Sequence, residues 1–128
     1  QDAAGRYETI QWLMFQMAGI GPMFGQLGYF NKYAGREIED PRPRARYVAE
    51  AKRLLNVLNQ RLEGRDWIMG ADYSIADIAT WPWVRNLGAY EALDLVEFSR
   101  FANVGAWLER ALARPASQAA PKIPDPDG

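Results

Sequence analysis

The 128-residue sequence contains no cysteine and no histidine. Without cysteine the chain has no disulfide, no thiolate nucleophile and no cysteine-ligated zinc site. Without histidine it lacks the side chain that most often serves as a general base or metal ligand near neutral pH. We therefore predict neither a catalytic residue nor a metal site in this segment.

The sequence also lacks long apolar runs and an excess of one charge. No stretch approaches the roughly 20 apolar residues that a membrane span requires, so we expect no membrane contact. The 15 basic and 16 acidic residues nearly balance, which gives no electrostatic reason to expect nucleic acid as a partner. The chain begins at Gln1 without the basic and apolar regions of a signal peptide. We interpret it as a fragment of a cytoplasmic protein.

Apolar residues recur with the period of an α-helix almost throughout, and no segment alternates with period two. The pattern predicts helices over residues 3–35, 42–62, 74–90 and 98–113. We therefore predict an all-α domain over residues 1–116, followed by a polar, proline-containing tail over residues 117–128. The predicted architecture is a helical bundle with a long, kinked first helix and a buried central helix.

The first predicted helix carries two apolar stripes and an unusual run of glycines around Pro22. The stripes predict neighbours on two sides of this helix; they comprise Ile10, Leu13, Met14, Met17, Ala18 and Gly21, and then Trp12, Phe15 and Gly19. Pro22 has no N–H to donate to the carbonyl of Ala18, so we predict a kink there. Close helix packing explains the glycines most simply, and an opened cleft is the functional alternative.

The third predicted helix begins with a capping box. Ser74 precedes Asp77 by three residues, so its side chain can accept from the Asp77 N–H while the Asp77 carboxylate accepts from the Ser74 N–H. Tyr73 and Ile78 occupy the two positions of a hydrophobic staple. We interpret Ser74 and Asp77 as structural, because the carboxylate is committed to the cap.

The same helix contains the sequence Trp81-Pro82-Trp83. Pro82 lies beyond the first turn, where proline is tolerated, and should remove the hydrogen bond to the Ile78 carbonyl. Core packing is the default interpretation of the two indoles, and lining a ligand pocket is the alternative.

These motifs together carry a family resemblance over about residues 6–116. Residues 61–84 resemble the C-terminal helical domain of cytosolic glutathione transferases, in which the capping box begins the buried central helix. Gln11-Trp12 and residues 16–26 are similar to the bacterial nu-class and yeast prion-type transferases. Members of that subgroup often act as glutathione-dependent disulfide reductases.

The resemblance implies that half of the site lies outside this chain. The family's N-terminal thioredoxin-like domain, absent from this sequence, holds most of the glutathione and activates its thiol for attack on an electrophilic carbon or a disulfide. Glutathione is thus implied as co-substrate, and a small electrophile or disulfide as the second substrate. The helical domain is expected to form the acceptor-pocket wall and much of a homodimer interface, and to be inactive alone.

By the same resemblance, Arg46 is predicted to bind glutathione, since a guanidinium can hold a carboxylate with two parallel bonds. The alternative is a solvated arginine beside Glu50 and Arg53. Candidates for the acceptor pocket flank the kink; they are Met14, Phe15, Met23, Gln26, Phe30, Asn31 and Tyr33. Their alternative is core packing or a domain interface, and for Asn31 a plain position on the helix surface.

A rival interpretation is a non-catalytic interaction module, because the same helical domain recurs in translation factors and synthetase-associated proteins, where it serves assembly. The upstream sequence would discriminate between the two. A helical DNA-binding domain is disfavoured, because no predicted helix carries a basic stripe that acidic residues leave unmatched.

Overall fold

The computed structural model describes residues 2–119, and within this range the chain is helical without a strand. One isolated antiparallel bridge joins Trp67 to Gly70 in the longest connection. The all-α prediction is confirmed. The elements in chain order are α1 Ala3–Phe15, a π-helical turn Gln16–Ile20, α2 Gly21–Asn31, a 3-10 turn Ala34–Glu37, α3 Arg42–Arg61, α4 Ile75–Ala89, a 3-10 turn Phe98–Arg100, α5 Ala102–Leu112 and α6 Pro115–Ala119.

The predicted kink in the first helix takes the form of a π-helical turn. The N–H of Gly21 donates to the carbonyl of Gln16, five residues back, which is the pairing that defines a π turn. Pro22 then lies in the first turn of α2, where its missing N–H removes no helical bond. The wider turn thus accommodates the proline without ending the helix.

The two stripes of the first helix have different surroundings. Trp12 and Phe15 pack against the core, whereas Met14 and Met17 are about half exposed, at 48% and 57%. The prediction of neighbours on two sides therefore holds for one side only within residues 2–119. The exposed stripe is an apolar surface without a partner in this part of the chain.

Helix α3 supplies one wall of the core and matches its predicted bounds within one residue. Ala51, Leu54, Leu55 and Leu58 lie on one face and are buried, mainly against α2 and α5. The opposite face, which begins at Arg42, carries the charged side chains. This amphipathic division places a row of arginines on the surface beside α2.

Helix α4 is the central buried helix, packed against α1, α2 and α5. It continues through Pro82, so the predicted loss of one hydrogen bond does not break it. Val84 and Leu87 are fully buried. Thr80 is also buried, and its hydroxyl has no hydrogen-bond partner among the described residues.

The end of the chain departs from the predicted bounds. The fourth predicted helix is divided at Phe101, whose φ of −102° and ψ of 67° are not helical. The predicted tail also begins too early, because α6 includes Ser117 and buries it. Proline at the first helical position favours this short helix. Residues 120–128 of the predicted tail lie outside the described residues.

Candidate functional site

The capping box forms, and its carboxylate does more than cap the helix. Asp77 Oδ2 accepts from the Ser74 N–H at 2.9 Å, and Ser74 Oγ accepts from the Ala76 N–H at 3.2 Å. Asp77 Oδ1 accepts from the Ile68 N–H at 2.9 Å and from Trp107 Nε1–H at 2.8 Å. Asp77 is fully buried. One carboxylate therefore joins the α3–α4 connection, α4 and α5.

The two residues of the predicted hydrophobic staple differ in burial, and Tyr73 makes several further contacts. Ile78 is 51% exposed, because the buried face of α4 points the other way. The Tyr73 ring lies edge-on to Trp67, with centroids 4.7 Å apart, and its hydroxyl accepts from Trp81 Nε1 at 3.1 Å. The Arg114 guanidinium covers the same ring at 3.8 Å. Aromatic and cationic contacts therefore orient the Tyr73 ring.

A depression of about 770 Å³ lies where the start of α3 meets α2. We call it the arginine pocket, since three of its lining residues are arginines. Its walls are formed by Met23, Arg42, Arg46, Tyr47, Ala49, Glu50 and Arg53.

The three guanidiniums of the arginine pocket differ in their partners. Arg42 pairs with Asp40 at 2.6 Å and Arg53 with Glu50 at 2.8 Å. The hydrogen bonds from Arg42 hold the pKa of Asp40 below its usual value, and those from Arg53, helped by the charge of Arg46, do the same for the pKa of Glu50. Arg46 is exposed and makes no hydrogen bond or salt bridge within residues 2–119. It is the guanidinium available to a ligand.

The apolar side of the arginine pocket is held in place by ring stacking. The rings of Phe30 and Tyr47 are nearly parallel, with centroids 5.6 Å apart and an angle of 15° between their planes. Met23 completes this side. The pocket therefore combines cationic and apolar lining residues, as suits a ligand with a charged end and an uncharged body.

A second depression, of about 460 Å³, lies beside the π-helical turn. The two indoles of α4 therefore differ in their surroundings. Trp81 is buried in the core, whereas Trp83 is only half buried and lines this depression. We call this depression the Trp83 groove. It is lined by Gln16, Met17, Gly21, Pro22, Gly25, Gln26 and Trp83.

Small residues give the Trp83 groove its shape. A Cβ on Gly25 would lie 3.7 Å from the Trp83 ring, and one on Gly21 would lie only 2.9 Å from Gln16 Nε2. At Gly21 a larger residue would therefore displace the glutamine. Both sequence interpretations of the glycines apply, since they permit close helix packing and border a groove.

The predicted acceptor-pocket residues lie in several places and do not line one common pocket. Met23 lines the arginine pocket and Gln26 lines the Trp83 groove. Phe30 lies behind Tyr47, and Phe15 lies edge-on to Trp12 with centroids 5.2 Å apart. Met14 is on the exposed stripe of α1.

Asn31 and Tyr33 belong to a clamp at the ends of α2 and α4. The Asn31 amide donates to the carbonyl oxygens of Tyr90 and Glu91, at 2.8 and 3.2 Å. Tyr33 lies edge-on to Tyr90, and Lys32 pairs with Glu91. Because the Asn31 amide is engaged in this way, its contacts support a structural role in this domain over the orientation of a ligand.

Sequence reasoning missed several lining residues of the two depressions. Arg42, Tyr47, Glu50 and Arg53 were not assigned to a site, although Arg42, Arg46, Glu50 and Arg53 recur every three or four residues and so share one face of α3. For Trp83 core packing is the default interpretation, and the structure agrees with the alternative, because the indole lines a depression.

Residues 2–119 contain neither a candidate metal site nor a candidate membrane-spanning helix. No group of three or more acidic side chains there is placed to hold a metal ion. None of the helices in that range is long and apolar enough to cross a membrane.

In this all-α domain a long first helix, interrupted by a π turn, packs on a central helix that begins with a buried capping box. Solved structures of the same fold are glutathione transferases. Residues 41–110 match the family described as glutathione S-transferase, C-terminal domain. The chain belongs to this family, as the resemblance predicted.

The relatives agree with the subgroup that the sequence indicated. A glutathione transferase from Burkholderia graminis, crystallised with two glutathione molecules per subunit, is 66% identical with a TM-score of 0.96, over 98% of this chain and 53% of that one. One from Pseudomonas putida, with one glutathione disulfide per subunit, is 59% identical with a TM-score of 0.93, over 97% of this chain and 54% of that one.

Among curated proteins, Disulfide-bond oxidoreductase YfcG of Escherichia coli (strain K12) is 46% identical over 112 residues, which are 88% of this chain and 49% of the relative. The chain therefore spans about half the length of the relatives it matches.

Proposed function

We propose that this chain is the helical domain of a dimeric, cytoplasmic glutathione transferase that conjugates small electrophiles or reduces small disulfides with glutathione. In this proposal a thioredoxin-like domain of the same protein binds most of the glutathione, and the helical domain completes the site. The names and ligands of the relatives, a disulfide-bond oxidoreductase and a transferase holding glutathione disulfide, favour disulfide reduction.

The observation that carries the proposal is the unpaired guanidinium of Arg46 within the arginine pocket. Glutathione bears two carboxylates, and a guanidinium binds a carboxylate with two parallel charge-assisted hydrogen bonds. Arg46 lies near the start of the 20-residue helix α3, whose positive end also favours an anion. Tyr47 and Met23 then provide an apolar wall beside the bound peptide.

The proposed chemistry draws its sulfur from glutathione, and this chain contributes no thiol to it, because it has no cysteine. A glutathione thiolate attacks one sulfur of the disulfide, forms a mixed disulfide and expels the other sulfur as a thiolate, which takes up a proton. A second glutathione thiolate attacks the mixed disulfide, releasing the second thiol and leaving glutathione disulfide. The helical domain contributes binding and orientation to both steps.

The exposed apolar stripe of α1 and the following π-helical turn supports the proposed contacts with another domain or subunit. Tyr7, Ile10, Met14 and Met17 are exposed by 71%, 39%, 48% and 57%, and spacings of three or four residues place them on one helix face. Such a continuous apolar face is typical of an interface. We expect the two-domain protein to bury part of this stripe within a homodimer.

Replacement of Arg46 by alanine in the two-domain protein tests the proposal. We expect the KM for glutathione to rise about tenfold, as the loss of a charge-assisted hydrogen bond predicts. The matched control is Arg44→Ala, since Arg44 is an exposed arginine on the same helix that does not line the pocket. An unchanged KM for Arg46→Ala would contradict the assignment.

The chain by itself should show no turnover with glutathione and a small disulfide, because the thiol-activating group lies outside it. The two-domain protein assayed in parallel should show turnover. Turnover by the chain alone would contradict the proposal that another domain activates the glutathione thiol. Absence of turnover in both, with the fold intact, would instead favour the non-catalytic assembly module.

A further inference from the structure

We propose that a third depression, between α3 and the start of α5, binds a phosphoryl group, either as free phosphate or on a small organic body. Its volume is about 340 Å³, and we call it the Asn59 pocket. It is lined by Lys52, Arg53, Asn56, Asn59, Arg100 and Phe101. This inference goes beyond the proposed function and does not depend on glutathione.

The first support is the charge of the side chains that line the Asn59 pocket. Lys52, Arg53 and Arg100 are cationic, and no acidic residue of the described part of the chain is among the lining residues. Lys52 and Arg100 share the carboxylate of Glu97, and Arg53 pairs with Glu50. Three cations against two acids leave one positive charge in excess, which favours an anion.

The second support is that these ion pairs leave donors unused. Lysine and arginine side chains carry several N–H groups each. Lys52 and Arg100 each donate one of them to Glu97, and Arg53 donates two to Glu50. Every cation of the pocket therefore keeps N–H groups for a ligand. A phosphoryl group suits donors on different elements, because its three terminal oxygens accept from several directions, whereas a carboxylate is planar.

The third support is the orientation of the Asn59 amide. Its Oδ1 accepts from the N–H groups of Asn103 and Val104, at 3.0 and 3.2 Å. It thus caps α5, since the N-cap residue Phe101 makes no side-chain hydrogen bond there. Two backbone donors identify the bound atom as the oxygen, so the NH2 group is the one left over. It makes no hydrogen bond within residues 2–119 and is a fixed donor of the pocket, beside the positive end of α5.

Titration of the 128-residue chain with inorganic phosphate and with phenyl phosphate, followed by nitrogen–proton correlation NMR, tests the inference. A constant excess of chloride holds general screening fixed. Both ligands should shift the Asn59 NH2 signals saturably, whereas those of Asn31, which is bound to backbone carbonyls, should stay in place. Tighter binding of phenyl phosphate would indicate an organic body that contacts Phe101. Equal affinities would indicate that the phosphoryl group alone is recognised.

Replacement of Asn59 by aspartate separates binding from capping. The carboxylate still accepts from the N–H groups of α5, so the stability in urea should be maintained. It has no N–H to donate and repels an anion, so we expect the affinity for phosphate to fall at least about tenfold.

Replacement of Lys52 by glutamine removes a charged donor and should also lower the affinity for phosphate about tenfold. The matched control is Lys32→Gln. Lys32 also pairs with a glutamate, Glu91, and both lysine side chains are 37% exposed, but Lys32 does not line the Asn59 pocket. This variant should keep the affinity within about twofold.

Three results would overturn the inference. They are Asn59 signals that shift without saturation or no more than those of Asn31, Asn59→Asp that is stable and binds phosphate as well as the unmodified chain, and equal losses of affinity in Lys52→Gln and Lys32→Gln. The two lysine variants decide the question if Asn59→Asp does not fold. None of these results bears on the proposed function, because neither Asn59 nor Lys52 lines the arginine pocket.

Discussion

The start of α4 and the start of α3 use charge in opposite ways. At α4 the Asp77 carboxylate is fully buried and accepts bonds from the N–H groups of Ile68 and Ser74 and from Trp107. At α3 the Arg46 guanidinium is exposed and has no such partner within residues 2–119.

This difference distinguishes a charge that stabilises the fold from a charge that is available to the proposed glutathione site. A buried charge whose hydrogen-bonding capacity is filled by its own chain stabilises that chain and has little left for a ligand. An exposed charge without a partner contributes little to the fold and is available for recognition. The following experiments test this division, from the largest expected effect to the smallest.

Replacement of Asp77 by alanine should have the largest effect on stability. It leaves the N–H groups of Ile68 and Ser74 and the indole N–H of Trp107 without their acceptor, so we expect unfolding to become easier by about 4 kcal/mol. Urea denaturation of the 128-residue chain measures the change. The control is Asp72→Ala, at an exposed position, which should change stability by less than about 0.5 kcal/mol. A loss of stability below about 1 kcal/mol for Asp77→Ala would contradict the structural role assigned to this carboxylate.

Replacement of Gly28 by alanine extends the test from charge to packing. A Cβ at Gly28 would lie 2.8 Å from the ring of Tyr90, which is buried and held by Asn31. We expect a net loss of about 1 to 2 kcal/mol, since overpacking exceeds the gain in helix propensity. Gly105→Ala is the control, because nothing lies within 4 Å of its Cβ, and it should gain up to about 1 kcal/mol. Equal effects at the two glycines would refute the packing argument.

The exposed pair of Asp40 and Arg42 should have the smallest effect. Arg42 lowers the pKa of Asp40 in the folded chain, so the pair stabilises the fold above the usual pKa of an aspartate. That contribution is lost as the pH falls through the lower, folded-state pKa. Asp40→Asn should therefore be slightly less stable than the unmodified chain at neutral pH and equal to it in strong acid or high salt.

Urea midpoints at several pH values and salt concentrations measure this effect. A difference between Asp40→Asn and the unmodified chain that persists in acid would show that the pair acts through something other than charge.

The sequence predicted those features that depend on neighbours along the chain. The bounds of α3 and α4 and the cap at Ser74 follow from residues within a few positions of each other, and the structure reproduces them. The missing N–H of Pro22 likewise predicted a kink there, although not that it would take the form of a π-helical turn.

Features that depend on distant residues could not be predicted. Trp107 lies 30 residues from Asp77, and the carbonyls bound by Asn31 lie 59 and 60 residues from it. Periodicity shows that a helix has an apolar face but does not show what covers it. For that reason the exposure of Met14 and Met17 and the separation of Trp81 from Trp83 required the structure.

The central claim is that Arg46 serves a ligand and Asp77 serves the fold. Urea unfolding of the two-domain protein with and without glutathione, for the unmodified protein, Arg46→Ala and Arg44→Ala, tests the first half most directly. Without glutathione the three should be equally stable. With glutathione at 100 times its Kd, the unmodified protein and Arg44→Ala should gain about 2.7 kcal/mol, and Arg46→Ala about 1.4 kcal/mol if its affinity falls tenfold. Loss of stability in Arg46→Ala without glutathione, or a full gain with it, would contradict the account.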